Sequence, residues 1–216
     1  MTGKQTIFFD MDGTLLDTEQ YFRRFWKQAA EECGYHMTDE QALSMRSLGR
    51  PFAAQRINGW FGNEEAYSQI RSRRMELMKE KLEKDGIPLK PYAEETLSEL
   101  KTRGYCLAIA TATDLERTEQ YLKKVGLRTY FDNIICATMV KQGKPAPDIY
   151  EYACHQLKAA PEETYAVEDS PNGVMSAYGA GCKVIMIPDQ TQPDEELSRL
   201  LTLKMDNLKE LLVYFN

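Results

Sequence analysis

Two aspartates, Asp10 and Asp12, stand two residues apart directly after the apolar run Ile7-Phe8-Phe9. In an extended chain residues i and i+2 face the same side, so this spacing predicts two carboxylates converging at the end of a strand. Gly13 follows and lets the chain turn away. Paired carboxylates at a strand end suit a hard cation such as Mg²⁺, nucleophilic attack, or acid–base proton transfer. An acidic turn closing a strand is written with the same letters, because Asp-Gly is also a turn signal.

Three later stretches carry candidate chemistry. Ile109-Ala110-Thr111-Ala112-Thr113 ends an apolar run in hydroxyls, which can bond phosphate oxygens or serve as a strand terminus and helix cap. Gly143-Lys144-Pro145-Ala146-Pro147-Asp148 places a lysine in a proline-stiffened loop, where it can hold a fixed positive charge; most loop lysines are simply solvated. Ala166-Val167-Glu168-Asp169-Ser170-Pro171-Asn172-Gly173 ends an apolar run in two acids. They read either as an acidic helix start with proline in its first turn or as acids that need a cation beside them. Open α/β sheets bind ligands outside the carboxyl ends of their strands, and all four stretches fall at such positions.

The elements that must position them are legible as pattern. Short apolar runs at 105–111, 133–138, 164–168 and 183–188 read as strands buried on both faces of a parallel sheet. Helical periods lie between them: Leu97 and Leu100 before Gly104; Leu115, Tyr121, Leu122 and Val125 before Gly126; Ile149, Tyr150, Ala153, Cys154 and Leu157 after Pro147 and Asp148. The stretch 17–88 has no convincing strand. Tyr21, Phe22, Phe25, Trp26, Ala29, Ala30 and Cys33 mark an amphipathic helix, with Asp17 or Thr18 as its cap. Phe52, Ile57, Trp60 and Phe61 predict further helix about a turn at Gly59, and 68–85 is a charged helix with pairs such as Glu80–Lys84. Arg71, Arg73 and Arg74 read as its solvated face, with a position facing the cleft as the alternative. The fold class is therefore α/β: a Rossmann-like parallel sheet with helices on both faces, built from 1–16 and 89–216, with an α-helical unit inserted at 17–88.

Composition narrows the class. The 216 residues are 43% apolar and carry a net charge of −6, which argues against nucleic acid as a partner. No apolar stretch is long enough to span a bilayer, and Met1 to Gln5 lack the regions of a signal peptide. The five cysteines are scattered without a Cys-x-x-Cys, as expected of reduced thiols in a cytoplasmic enzyme. His36 and His155 sit in no ligand-like cluster, so a zinc site of common spacing is not supported.

With Asp10-Met11-Asp12-Gly13-Thr14, Thr111, Lys144 and Glu168-Asp169 in this order, followed by Gly173, Ala177, Ala180 and Gly181, the chain resembles the haloacid dehalogenase superfamily over nearly its whole length. The helical insert resembles the subgroup with an α-helical cap, which contains phosphoglycolate phosphatases, sugar phosphatases and β-phosphoglucomutases. The resemblance implies Asp10 as the nucleophile that forms an aspartyl-phosphate and Asp12 as the acid–base. It implies Mg²⁺ as cofactor, held by Asp10, the backbone carbonyl of Asp12 and Asp169, with Glu168 ligating through water or orienting the shell. Thr111, with Ala112 beside it, and Lys144 are implied to bind phosphoryl oxygens. The presence of Asp12 argues for phosphoryl transfer over C–halogen hydrolysis. Within Ser47-Leu48-Gly49-Arg50-Pro51-Phe52, Arg50 does not match the mutase pattern and is a candidate substrate contact. The expectation is a monomeric, Mg²⁺-dependent phosphatase of a small phosphorylated metabolite. A β-phosphoglucomutase-like mutase is the alternative, and a non-catalytic binder of phosphorylated ligands the more distant one.

Overall fold

The computed structural model describes residues 5–216. The reading of the N-terminus rests largely on residues 1–4, which lie outside the described residues. The first strand, β1 (Thr6–Phe9), leads into four helices in succession: α1 (Glu19–Glu32), α2 (Asp39–Ser44), α3 (Phe52–Phe61) and α4 (Ala66–Asp85). Strand and helix then alternate: α5 (Ala93–Thr102), β2 (Cys106–Thr111), α6 (Leu115–Lys124), β3 (Asn133–Cys136), α7 (Asp148–Leu157), β4 (Tyr165–Glu168), α8 (Pro171–Gly179), β5 (Lys183–Met186), α9 (Glu195–Ser198), β6 (Leu203–Lys204) and α10 (Glu210–Tyr214).

The six strands form one parallel sheet in the order β3-β2-β1-β4-β5-β6. The strand order reverses between β1 and β4, which opens a crevice at their carboxyl ends. Alternation along β1 feeds two separate layers. Ile7 and Phe9 pack into a core with Leu97, Leu107 and Phe131, while Phe8 packs on the other face with Tyr150, Val174 and Val184. Each of these three β1 side chains is fully buried, worth about 1.5–3 kcal/mol apiece. The register sets Phe9 beside both Ile109 and Val167. The next residue, Asp10, is thereby level with the ends of both neighbouring strands.

The four predicted buried runs are the strands β2 to β5, each a little shorter than its apolar run. The two-residue strand β6 was not legible, because Leu203-Lys204 carries no pattern of its own. Helices α1 to α4 share a hydrophobic cluster around Phe25, Trp26, Ile57, Ile70 and Met78, distinct from the two flanking the sheet. The chain enters and leaves this helical segment side by side. Leu16 and Leu89 form an antiparallel bridge, with Asp17 N donating to Pro88 O at 2.9 Å and Lys90 N to Leu15 O at 2.8 Å.

Three local expectations are corrected. Helix α3 runs through Gly59, and the break comes at Gly62, whose φ of 61° lies in the left-handed region that ends helices. Thr18 occupies the cap position of α1, but its hydroxyl makes no cap bond there. In α4 the pairs at helical spacing are Arg73–Glu76, Lys79–Glu83 and Lys81–Asp85, while Glu80 lies 4.0 Å from Arg73.

Candidate active site

Asp10 follows β1, and its backbone N–H donates to Val167 O of β4 at 3.0 Å, which fixes it in the crevice between the two strands. Glu168 is the last residue of β4 and Asp169 the next, and both are fully buried. Lys144 reaches the same point from the loop before α7. Far from being solvated, it is 0% exposed. Its Nζ lies 2.6 Å from Asp10 Oδ1 and 2.6 Å from Glu168 Oε1, and it donates to Ala110 O at 2.9 Å. These three acceptors account for all three ammonium donors. The Tyr150 hydroxyl donates to the same Glu168 oxygen at 2.5 Å.

The charges do not balance. Burial works to lower the Lys144 pKa, but the attraction of Asp10 and Glu168 outweighs it and holds the group above its ordinary value, fully charged. Burial pushes the Asp10 carboxyl up to about 7, opposed by Lys144 and reinforced by Glu168 and Asp12. Asp169 is pushed well above the usual carboxylate range, first by burial and then by Glu19, Asp10 and Glu168. Arg46 offsets this in part, with Nη1 3.7 Å from Asp169 Oδ2. Asp10, Glu168 and Asp169 bring ligand oxygens within 4.8 Å of one another, and Asp10 Oδ2, Glu168 Oε2 and both Asp169 oxygens are buried without a hydrogen-bond partner. Oxygen donors converging with uncompensated charge are the donor set of a hard divalent cation, so these residues fit one.

Two glycines allow this crowding. A Cβ at Gly173, in the first turn of α8, would overlap the Glu168 carboxylate. At Gly13, where φ is 88°, it would stand 2.5 Å from Asp169 Oδ2.

The carboxylate of Asp12 lies outside the three-carboxylate group. Thr18 donates to its Oδ1 at 2.7 Å and Thr113 to its Oδ2 at 2.8 Å. Asp10 and Asp12 line a cleft of about 400 Å³, together with Thr111, Ala112 and Arg50. Thr111 Oγ1 accepts from Thr113 N at 3.1 Å, and Arg50 is exposed at the rim. The cleft is roofed by the helical segment, which rests on the loop of Lys144. Gly49 N donates to Lys144 O at 2.8 Å, and Gly143 N to Arg50 O at 2.7 Å. A Cβ at Gly49 would lie 2.5 Å from the Gly143 Cα, so the two backbones meet directly.

Several site residues carry little sequence signal. Glu19 is buried in the cleft wall with Oε2 unpartnered, yet it reads as a routine first-turn acid of α1. Arg46 stands alone in Ser44-Met45-Arg46-Ser47, and only the fold brings it to Asp169. Arg71 and Arg74, expected on a solvated face, line the cleft, while Arg73 turns outward to Glu32 and Glu76. The spacing Tyr67, Arg71, Arg74 places all three on one helix face and was the available clue.

Comparison with known proteins agrees with this architecture. The sequence model of the haloacid dehalogenase-like hydrolases matches residues 7–187. Hexitol phosphatase A of Escherichia coli K12 is 34% identical, covering 84% of this chain and 82% of its own. CbbY from Rhodobacter sphaeroides, solved as a variant with xylulose-(1,5)bisphosphate, superposes with a TM-score of 0.80 at 29% identity, covering 96% of each chain. A putative β-phosphoglucomutase from Bacteroides vulgatus, at 21% identity and covering 98% of this chain and 87% of that one, shares the fold with a TM-score of 0.83. The matched residues run from β1 through the end of β5, and with them the aspartates, the buried lysine and the acid pair: the chain belongs to the haloacid dehalogenase-like hydrolase family.

Proposed function

We propose that this protein is a Mg²⁺-dependent phosphatase that hydrolyses a small phosphorylated carbohydrate through an aspartyl-phosphate. The observation that carries the reading is the buried array of Asp10, Lys144, Glu168 and Asp169 at the switch point of the sheet. Such an array costs stability unless a cation and a bound anion complete it. Asp10 Oδ1 is held by Lys144, which leaves the unpartnered Oδ2 as the attacking oxygen or a metal ligand. Asp12, gripped by two hydroxyls, is positioned to give a proton to the leaving oxygen and to take one from the attacking water. Thr111, the neighbouring Ala112 and Lys144 would contact the phosphoryl oxygens. The divalent ion, held by Asp10, Asp169 and the Asp12 carbonyl with Glu168 behind them, would supply electrostatic stabilisation of the phosphoryl group. Residues 17–88 would act as a cap that keeps bulk water from the site.

The hexitol phosphatase relative and the CbbY complex with a sugar bisphosphate support a carbohydrate substrate. So does Glu19, a buried carboxyl in the cleft wall suited to a substrate hydroxyl. The test is phosphate release from a panel of sugar and polyol phosphates, with isomerisation of sugar phosphates followed in parallel. Release should require Mg²⁺ and fall by orders of magnitude in Asp10→Asn while the fold persists. Undiminished release in excess chelator, near-normal turnover by Asp10→Asn, or isomerisation outpacing release would each overturn the assignment.

A further inference from the structure

None of the five cysteines lines the cleft, and two of them meet elsewhere in the fold. Cys154 of α7 and Cys182, between α8 and β5, bring their Sγ atoms to 3.9 Å, within reach of a hydrogen bond that either can donate. They are 4% and 6% exposed. The pair lies just beneath the surface, because His155, Gln156 and Gly181 beside it are exposed. It sits at the end of the sheet opposite the cleft. Cys182 precedes Lys183, the first residue of β5, which pairs with Tyr165, the first residue of β4, whereas Asp10 follows the last residue of β1.

The two thiols are not equivalent. Their shared hydrogen bond holds the Cys154 thiol below its ordinary range, against the effect of burial. The same bond, together with burial, pushes Cys182 far up. Burial raises Cys33, Cys106 and Cys136 as well, the last to about 11. Thiolate is the reactive form of cysteine, so nucleophilic character concentrates at Cys154. Both backbones are held in place: Ala159 N donates to Cys154 O at 3.0 Å, and Cys182 N to Ala177 O at 3.1 Å. A second thiol thus stands fixed beside the first, which makes any reaction between them intramolecular.

We propose that Cys154 and Cys182 form an oxidation site that hydrogen peroxide closes to a disulfide within the folded chain, Cys154 reacting first and Cys182 resolving it. The Cys154 sulfur attacks one peroxide oxygen. The S–O bond forms, the O–O bond breaks, and the departing hydroxide takes up the thiol proton as water, leaving a sulfenic acid. The Cys182 sulfur then attacks the Cys154 sulfur. The S–S bond forms, the S–O bond breaks, and the hydroxyl leaves with the Cys182 proton as a second water. Two thiols are oxidised by two electrons, and the peroxide is reduced to two waters. The link joins residues 28 apart in sequence and staples α7 to the start of β5.

The test reads no turnover and so stands apart from the phosphatase reading. The reduced full-length protein is treated with hydrogen peroxide well below its melting temperature, its remaining thiols are alkylated, and it is digested without reductant. Mass spectrometry should find the peptides of Cys154 and Cys182 linked, with Cys33, Cys106 and Cys136 alkylated. The melting temperature should rise by about 5–10 °C and fall back on adding dithiothreitol. In Cys182→Ala, dimedone should trap a sulfenic acid on Cys154; in Cys154→Ala, neither the link nor the melting shift should appear. Alkylation of both Cys154 and Cys182 after peroxide, a link to one of the other three cysteines, or a link that leaves the melting temperature unchanged overturns the site. Dimedone on Cys182 in Cys154→Ala, with none on Cys154 in Cys182→Ala, overturns the order of attack. The peptide map of the unsubstituted protein decides the link even where a variant fails to fold.

Discussion

Replacing Lys144 with methionine tests the electrostatic logic of the site most directly. The side chains are of similar length, so Lys144→Met removes charge without opening a large cavity. What remains is Asp10 and Glu168, both buried, each losing a cation at 2.6 Å. Breaking a buried ion pair by removing one partner costs about 3–5 kcal/mol. For a chain of 216 residues this corresponds to a fall in melting temperature of roughly 6–20 °C. The sign with pH follows from Asp10, whose carboxyl stands at about 7 with Lys144 pulling it down. Without that pull it rises further. The deficit should therefore be larger at pH 8, where the parent's Asp10 is an ion-paired carboxylate that the variant cannot match, and should level off below about 7, where Asp10 is protonated in both proteins. Saturating Mg²⁺ should raise the melting temperature of the variant more than that of the parent, because it meets more uncompensated charge. The assay is thermal melting at pH 6 and 8, in chelator and in MgCl₂. A variant melting within about 2 °C of the parent in chelator at pH 8, a loss of under about 1 kcal/mol, would refute the reasoning.

Gly173→Ala should force the Glu168 carboxylate off Lys144 and Tyr150, costing about 1–3 kcal/mol, and should weaken Mg²⁺ binding; an unchanged denaturation midpoint and Mg²⁺ affinity would contradict the close approach of α8 to Glu168. Mg²⁺ affinity should fall as pH drops below about 7, since Asp10 must shed its proton to act as a ligand. Calorimetry in two buffers of different ionisation enthalpy should then show proton release on binding near pH 6 and little at pH 8.

The sheet was legible because its strands are buried on both faces: Cys106–Thr111 and Lys183–Met186 read as continuous apolar runs whatever surrounds them. The acids at the strand ends were legible for a related reason. Acids such as Glu168 and Asp169 directly after such a run stand out against its hydrophobicity. Arg46 and Glu19 had no such contrast, because each meets its partners only when helices far apart in sequence close over the sheet. The face of α4 was ambiguous for another reason. Its many charges masked the Tyr67-Arg71-Arg74 spacing, and a charge buried against Phe22 and Trp26 is written no differently from one in water.

The bridge between Leu16 and Leu89 has a consequence for how this protein can change. The two ends of the helical segment lie side by side across one antiparallel bridge, a geometry that a two-residue turn can close. Lengthening the segment between them adds little to the closure cost, since each doubling of a loop adds only about 0.6 kcal/mol. Scaffold and insert are joined like a graft on a stem. The insert can lengthen, repack or exchange its arginines while the register of β1 against β2 and β4, and with it the placing of Asp10, stays as it is.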